Sequence, residues 1–341
     1  MRFGMAIGGP LQAIGPFAQA IEQSGFDSAW ATETSSNPFL QAALAAQATS
    51  RVRVGTAIAL AFPRSPAIAA MTAADVDELS GGRFALGLGT QVKRVNEQRF
   101  STAFDHPARR MKEYVLAVRA FYGGYFGEEP RFQGEHYTIT MAPWPRVVPP
   151  VRRTLPILVA AVGPGMLRAA GEVADGVIGH PLTSPRYVAE VVAPAIAAGA
   201  KRGGRAPAEV ELVQSVMVAI AEDREVARRE VSLQLGFYAT TPAYQPVLAL
   251  HGFEGLMGDL RRAYADRDYR RLADLVPEEM AETYALWGTA DEVVEKAARF
   301  DDLAKEGGVA VSELLLGGPW YRVRPERLLE NHMAILEAFG R

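Results

Sequence analysis

RVRVGTAIALAFPRSPAIAAMTAADVDELSGGRFALGLGTQ, Arg51–Gln91, holds two apolar runs separated by one amphipathic stretch. The first run, Arg51–Phe62, reads as a strand. Pro66 at a first helical position opens a helix that runs to Leu79, and Ser-Gly-Gly stops it. Arg83–Gln91 is the short, almost wholly apolar kind of strand that a parallel sheet buries on both faces. Strand, crossover helix and strand together form a βαβ unit.

Outward from this unit the same alternation continues in both directions. Arg2–Gly8 and Asp27–Glu33 read as strands one and two. Leu11–Ser24 is the helix between them, ending at Gly25, and Phe39–Thr49 is a helix opened by an Asn37 cap and Pro38. After strand four the pattern predicts a helix over Ala108–Tyr122 and then a Gly-, Pro- and aromatic-rich stretch, in which Phe132–Thr140 is a surface β excursion. Strands five and six fall at Leu155–Gly163 and Asp175–His180, with helices at Met166–Val173 and Pro185–Arg202. Glu209–Ala221 is strand seven and Val311–Gly317 strand eight, before a last helix over Pro325–Phe339. Eight strands in this order predict an α/β fold, a single (β/α)8 TIM barrel in one domain over residues 1–341. Its insertions lie after strand four (about 123–154) and between strands seven and eight (about 223–305), the second mostly helical and broken by Pro242, Pro246 and Pro277. A doubly wound sheet with a second domain is the alternative. Its first turn, GGPLQAIG, lacks the G-x-G-x-x-G phosphate fingerprint, which weakens it.

Composition narrows the chemistry. The 341 residues are 49% apolar and 22% charged, enough to bury a full core, which excludes a disordered or fibrous chain. A net charge of −3 is too even for a nucleic-acid footprint. No run reaches the length of a membrane span and no secretory leader is readable, so the expectation is a cytoplasmic protein with a small-molecule partner. The chain has no cysteine, which removes disulfides, thiolate nucleophiles and iron–sulfur ligation. Its five histidines have no i,i+3 or i,i+4 pair, so no metal site is expected. None of its five lysines ends a strand, which argues against a Schiff-base lyase, and no G-x-S-x-G elbow occurs.

A barrel works at the C-terminal ends of its strands. There, Gly163-Pro164-Gly165-Met166 joins a strand to a helix, a place where backbone N–H groups attract an anion, although it reads equally as a plain turn. Gly55 interrupts strand three, as at a bulge, a close approach to a ligand or the taper of a barrel. His180 ends strand six and points to the mouth as an acid–base candidate or a hydrogen-bond partner. Glu33 ends strand two, as a ligand contact or the partner of an arginine or the backbone.

The succession DSAWATE, SGGRFALGLGTQVKRVNEQRF, HPARRMKEYVLAVRAFY, AAVGPGMLRAAGEVADGVIGHPLTSPRY, FYATTPAYQPVLALHGF and LWGTADEVVEK resembles the luciferase-like superfamily. The likeness covers nearly the whole chain and is nearest to its coenzyme F420-dependent oxidoreductases. It implies a deazaflavin or flavin held across the barrel mouth. A bulge in strand three, often with a non-prolyl cis peptide, would then fall at Ala57–Ile58 beside Thr56 and back the ring. Thr90 and Gln91 would lie beside the ring, Val162, Gly163, Pro164, Gly165 and Met166 would hold the phosphate, and His180 would line the cofactor mouth.

Two departures from the family pattern matter. No histidine follows Glu33, and Val92 stands where sugar dehydrogenases of the family carry a glutamate. An alcohol-oxidising base is missing at both places. The resemblance then points to a reductase giving hydride from reduced F420 to an activated C=C or C=N bond, with His180, Tyr238 or water as proton source and Glu33 as a further catalytic candidate. The rivals are an FMN-dependent monooxygenase and a flavin-binding protein without turnover. An aromatic and apolar rim of Trp30, Phe39, Phe62, Tyr238, Tyr244, Trp287 and Trp320 speaks against the last, although most of these residues read equally as core or insertion packing. Relatives commonly pair through helices two and three, so a homodimer through the alanine-rich Gln41–Thr49 is expected.

Overall fold

The structure, a computed structural model, describes residues 1–300 and 308–341. Residues 301–305 of the expected second insertion fall outside it. Eight parallel strands close into a ring: Arg2–Ile7, Ser28–Ala31, Arg53–Thr56, Phe84–Gly89, Ile157–Ala160, Gly176–Gly179, Glu211–Ile220 and Val311–Gly317. Each pairs with the next, and the eighth returns to the first through the register Arg2↔Glu313 to Met5↔Leu316. The helices between them begin as their sequence says. Asn37 Oδ1 accepts from Phe39 N–H at 2.9 Å and Ser65 Oγ from Ala67 N–H at 3.2 Å, each ahead of a proline that has no N–H to satisfy.

Two local differences have physical reasons. The loop after strand four contains a seven-residue helix, Lys93–Arg99, too short and polar to show an apolar stripe. The excursion near 132–140 is β as expected, a two-stranded antiparallel hairpin of Phe132–Gln133 with Thr138–Ile139 apart from the ring. Within the segment expected to be helical, Ala285–Gly288 is a strand. The seventh strand is ten residues long and overshoots its neighbours in the ring. Ala285–Gly288 pairs with the overshoot, Met217–Ile220, and so covers backbone groups that would otherwise form an open edge.

The barrel interior is built around one side chain. Trp30 is fully buried among Ala85, Leu158, Ile178, Val213 and Leu315. A β-carbon on Gly55 would lie 2.3 Å from the indole, and one on Gly4 would lie 2.2 Å from Ser28 Oγ and 2.5 Å from Glu313 Oε1. Gly55 is therefore a space-making residue of the taper, not a ligand approach. Below the ring, Trp30 Nε1–H donates to Ser28 Oγ and to Glu313 Oε1, both at 2.7 Å, and Ser28 Oγ donates to the same carboxylate at 2.5 Å. Burial pushes the Glu313 carboxyl upward. Arg53 stacks on the indole at 5.2 Å and pairs with Glu211 at 2.8 Å. Trp30, Phe39, Phe62 and Trp287, expected on the rim, are core residues.

Trp30→Ala would empty the axis of the barrel and strand the buried Glu313. The expected loss of stability is about 3–5 kcal/mol, read by urea denaturation, and a loss below about 1 kcal/mol would contradict the plug.

Candidate active site

Above Trp30 a cavity of about 1010 Å³ opens at the C-terminal ends of the strands. Ala6, Ala57, Ile58 and Leu315 form its floor, packed directly on the tryptophan layer. The third strand breaks there. Arg53–Thr56 pairs with the fourth strand, the Ala57–Ile58 peptide is cis, and pairing resumes at Ala59–Leu60 opposite Leu88–Gly89. This is the position that the resemblance implied.

Thr56 does not belong to the cavity. Gly55 faces the indole, so strand alternation turns Thr56 the other way. Its hydroxyl donates to Gly87 O at 2.7 Å and accepts from Gly87 N–H at 3.0 Å, and the residue is fully buried. The expectation that Thr56 binds the cofactor is corrected: it staples strand three to strand four. Gly87, whose added β-carbon would lie 1.8 Å from Thr56 O, permits the close approach.

Glu33 is on the wall, but both its oxygens are engaged. Oε2 accepts from Leu60 N–H at 2.7 Å and from Arg64 Nη1 at 2.8 Å, and Oε1 accepts from Arg64 Nη2 at 2.7 Å. Arg64 Nη1 also donates to Leu60 O at 2.9 Å. This bidentate pair fixes the chain just after the strand break. It is the arginine-and-backbone alternative for Glu33, with both carboxylate oxygens held in place by the arginine.

His180 ends the sixth strand and lies on the wall between two phenols. Tyr238 stands edge-on at 4.9 Å between ring centroids and Tyr244 at 4.6 Å. Leu182 N–H donates to Nδ1 at 3.1 Å, and Nε2 is 2.9 Å from Tyr244 Oη. Burial lowers the imidazole from 6.5 to about 4, so it is neutral at pH 7. The same burial pushes Tyr238 up to about 12 and raises Tyr244 further. The His180 backbone is held in turn by Gln214, whose Nε2 donates to His180 O at 3.2 Å and to Thr183 Oγ1 at 2.9 Å. No pattern in the sequence joins His180 to Tyr244. Sixty-four positions separate them, and the helical insertion alone brings them together.

The remaining expected residues divide. Gln91 lines the wall in a left-handed conformation (φ 59°), its own Oε1 accepting from Val92 N–H, while Thr90 lies behind it and donates to Gln91 O. Val162–Met166 lies outside the cavity wall, on the next turn of the rim. Gly163 caps the helix Pro164–Val173, no side chain occupies the cap, no acidic residue sits in the first turn, and Gly163–Gly165 are exposed. Gln234 was not anticipated. Its Oε1 accepts from Trp320 N–H and Tyr321 N–H at 3.0 and 2.9 Å, and its buried Nε2 has no hydrogen-bond partner among the described residues. The adjacent Asp105 and His106 are readable in the sequence as an acid–base pair beyond strand four, but spacing did not foresee that His136 joins them, the three ligand atoms lying within 4.8 Å of one another. Arg110 stands 3.6 Å from Asp105 and Arg109 2.5 Å from Glu135, so the carboxylates there are already balanced by guanidinium.

The family model described as Luciferase-like monooxygenase matches residues 3–306. An uncharacterized protein of Mycobacterium tuberculosis is 42% identical over 287 residues, 81% of this chain and 83% of that protein. The 5,10-methylenetetrahydromethanopterin reductase of Methanolobus tindarius is 30% identical over 322 residues, 91% of each chain. Among solved structures, the coenzyme F420 dependent tetrahydromethanopterin reductase from Methanopyrus kandleri superposes with a TM-score of 0.79 at 23% identity, over 99% of this chain and 97% of that one. That last likeness speaks for the barrel. On the family match and the relative at 30% identity, the chain belongs to the luciferase-like monooxygenase family.

Proposed function

We propose that this protein is a coenzyme F420-dependent oxidoreductase that works as a reductase, passing hydride from reduced F420 to an activated C=C or C=N bond of a small organic substrate. The observation that carries the direction is the set of protons on the cavity wall. Among the described residues its ionisable groups are Glu33, Arg99, His180, Tyr238 and Tyr244. Glu33 is clamped by Arg64, Arg99 is a cation, His180 is neutral with Nδ1 occupied, and the two phenols keep their protons. None is a free base for an alcohol, whereas hydroxyl donors are at hand, as a reduction requires. The relatives named as methylenetetrahydromethanopterin reductases support the same choice.

The residues fit such a cofactor. The cavity has room for a tricyclic ring and a small acceptor together. Ala57, Ile58 and Gln91 would lie against the ring, and Gln234 on the same wall has a side-chain N–H without a partner among the described residues. Val162–Met166 would take the phosphate: added β-carbons on Gly163 and Gly165 meet nothing within 4 Å, so an anion can reach the first N–H groups of the helix. Bound there, F420 supplies the hydride, and the protein supplies orientation and protons. A second reading, an FMN-dependent monooxygenase, draws on the family's own description and on the apolar upper wall of Phe237 and Trp320.

We also read the protein as a homodimer. Most of Gln41–Thr49 faces the barrel, with Gln41, Ala42, Ala45, Ala46 and Thr49 buried. Exposed apolar side chains on and beside these helices include Leu40 on the second, Ile68, Met71 and Leu79 on the third, and Trp144, which is 90% exposed. Arg146 pairs with Asp75 and Glu78 on the third helix, laying the Trp144 segment along it.

Equilibrium binding of oxidised F420 and of FMN to the same protein tests the cofactor. F420 is expected to bind in preference, and Gly165→Glu to weaken it at least ~10-fold with an unchanged melting temperature, since the new side chain points into open space. Preference for FMN would establish the second reading. Light scattering should give a mass near twice 36.9 kDa, and a single-chain mass would remove the dimer. His180, neutral in the native state and lowered to about 4, binds fewer protons than it does unfolded. Stability should therefore fall as pH drops from about 6.5 toward about 4, as half-buried His332, likewise lowered to about 4, also requires. The urea midpoint at pH 5 against pH 7 measures the fall, which His180→Gln should reduce without abolishing.

A further inference from the structure

Reduction of a double bond takes a proton as well as a hydride, and the hydrogen bonds around His180 bear on its origin. Because Leu182 N–H donates to Nδ1, that nitrogen carries no hydrogen. A neutral imidazole has one N–H, which must then be on Nε2. Nε2 is 2.9 Å from Tyr244 Oη, so the imidazole is the donor of that bond and the phenol oxygen the acceptor. The hydrogen of the Tyr244 hydroxyl is left over. It belongs to a side chain on the cavity wall, and among the described residues the oxygen makes no bond other than the one to His180.

We propose that Tyr244 is the proton donor of the reduction, its hydroxyl turned toward the substrate by the His180 imidazole; the assignment rests on the reductase reading. The acceptor double bond takes hydride at one end, its π pair closes on the neighbouring carbon or nitrogen, and that atom takes the proton from Tyr244 Oη. The oxygen left behind is a phenolate that accepts from His180 Nε2–H and regains a proton from water. His180 itself is a positioning residue: its one N–H is engaged, and its lowered basicity keeps it neutral. Tyr238, at 6.2 Å between ring centroids, and His180 are the titratable groups that face Tyr244, so no neighbouring charge draws the proton away before substrate arrives. A weak acid suffices, because the atom that receives the closing pair is strongly basic.

The test uses the full chain with reduced F420 and an α,β-unsaturated carbonyl compound as probe. Tyr244→Phe keeps the ring and removes the hydroxyl. It should lower the single-turnover rate about 100-fold and leave the F420 dissociation constant within a factor of about two. His180→Gln, whose amide N–H reaches toward the same oxygen, should keep more of the rate than His180→Leu. Independently of turnover, side-chain ¹H–¹⁵N spectra should report the Nε2–H tautomer for His180, with its proton resonance moved by Tyr244→Phe. A full rate in Tyr244→Phe, or an Nδ1–H tautomer while the wild type turns over, would overturn the donor assignment alone. Failure of the wild type to consume reduced F420 with any activated alkene or imine would overturn the reductase reading and the donor role with it.

Discussion

An eight-stranded barrel has an interior just wide enough for side chains to fill, and here one indole takes most of the axis. Everything above it depends on that occupancy. Gly4 and Gly55 give up their side chains to it, Ser28 and Glu313 receive its N–H, and Arg53 covers its face. With the axis filled from below, Ala6, Ala57, Ile58 and Leu315 meet a solid layer, and the floor of the cavity is set at one height. A buried carboxylate at the bottom of a barrel is costly unless it is hydrogen-bonded. Its two donors, the Ser28 hydroxyl and the indole itself, both reach Oε1, while Oε2 has no hydrogen-bond partner among the described residues and Arg2 stands 3.9 Å from it, so the contact that orients the tryptophan satisfies one oxygen of the acid.

The site is built on the opposite electrostatic plan. Its one carboxylate is neutralised by a bidentate arginine, its histidine is kept uncharged by burial, and its phenols are held in their protonated form. Apart from the Arg99 guanidinium on its wall, a pocket of this kind leaves formal charge to whatever binds in it. The Glu33–Arg64 pair then contributes position, because it grips both the N–H and the C=O of Leu60 where strand three resumes.

Much of the fold was legible because it rests on local rules. Buried parallel strands are short and apolar, helices open on Asn37-Pro38 and Ser65-Pro66, and each glycine stop stands where a helix ends. The break at Ala57–Ile58 was legible only through the resemblance, since Gly55, the residue that marked it locally, turned out to make room for Trp30. Thr56 was misplaced because a residue beside a break can face either way, and its direction depends on which neighbour fills the axis. The short strand Ala285–Gly288 was hidden in helical surroundings, for it exists to cover the overshoot of a strand seventy residues earlier. Contacts between distant segments were the least legible: His180 with Tyr244, and Asp105 with His136, join residues whose approach is decided by how insertions fold back.

That overshoot ties two functions to one strand. The seventh strand supplies Ser215 and Met217 to the cavity, and its far end pairs with Ala285–Gly288, which closes the helical segment carrying Gln234, Tyr238 and Tyr244. The segment therefore leaves and rejoins the barrel along the same backbone, like a handle fixed at both ends to one stave. Its interior can lengthen, shorten or change composition without shifting the register of any other strand. Diversification of the substrate wall in such a barrel is thus mechanically insulated from the ring that keeps the floor in place.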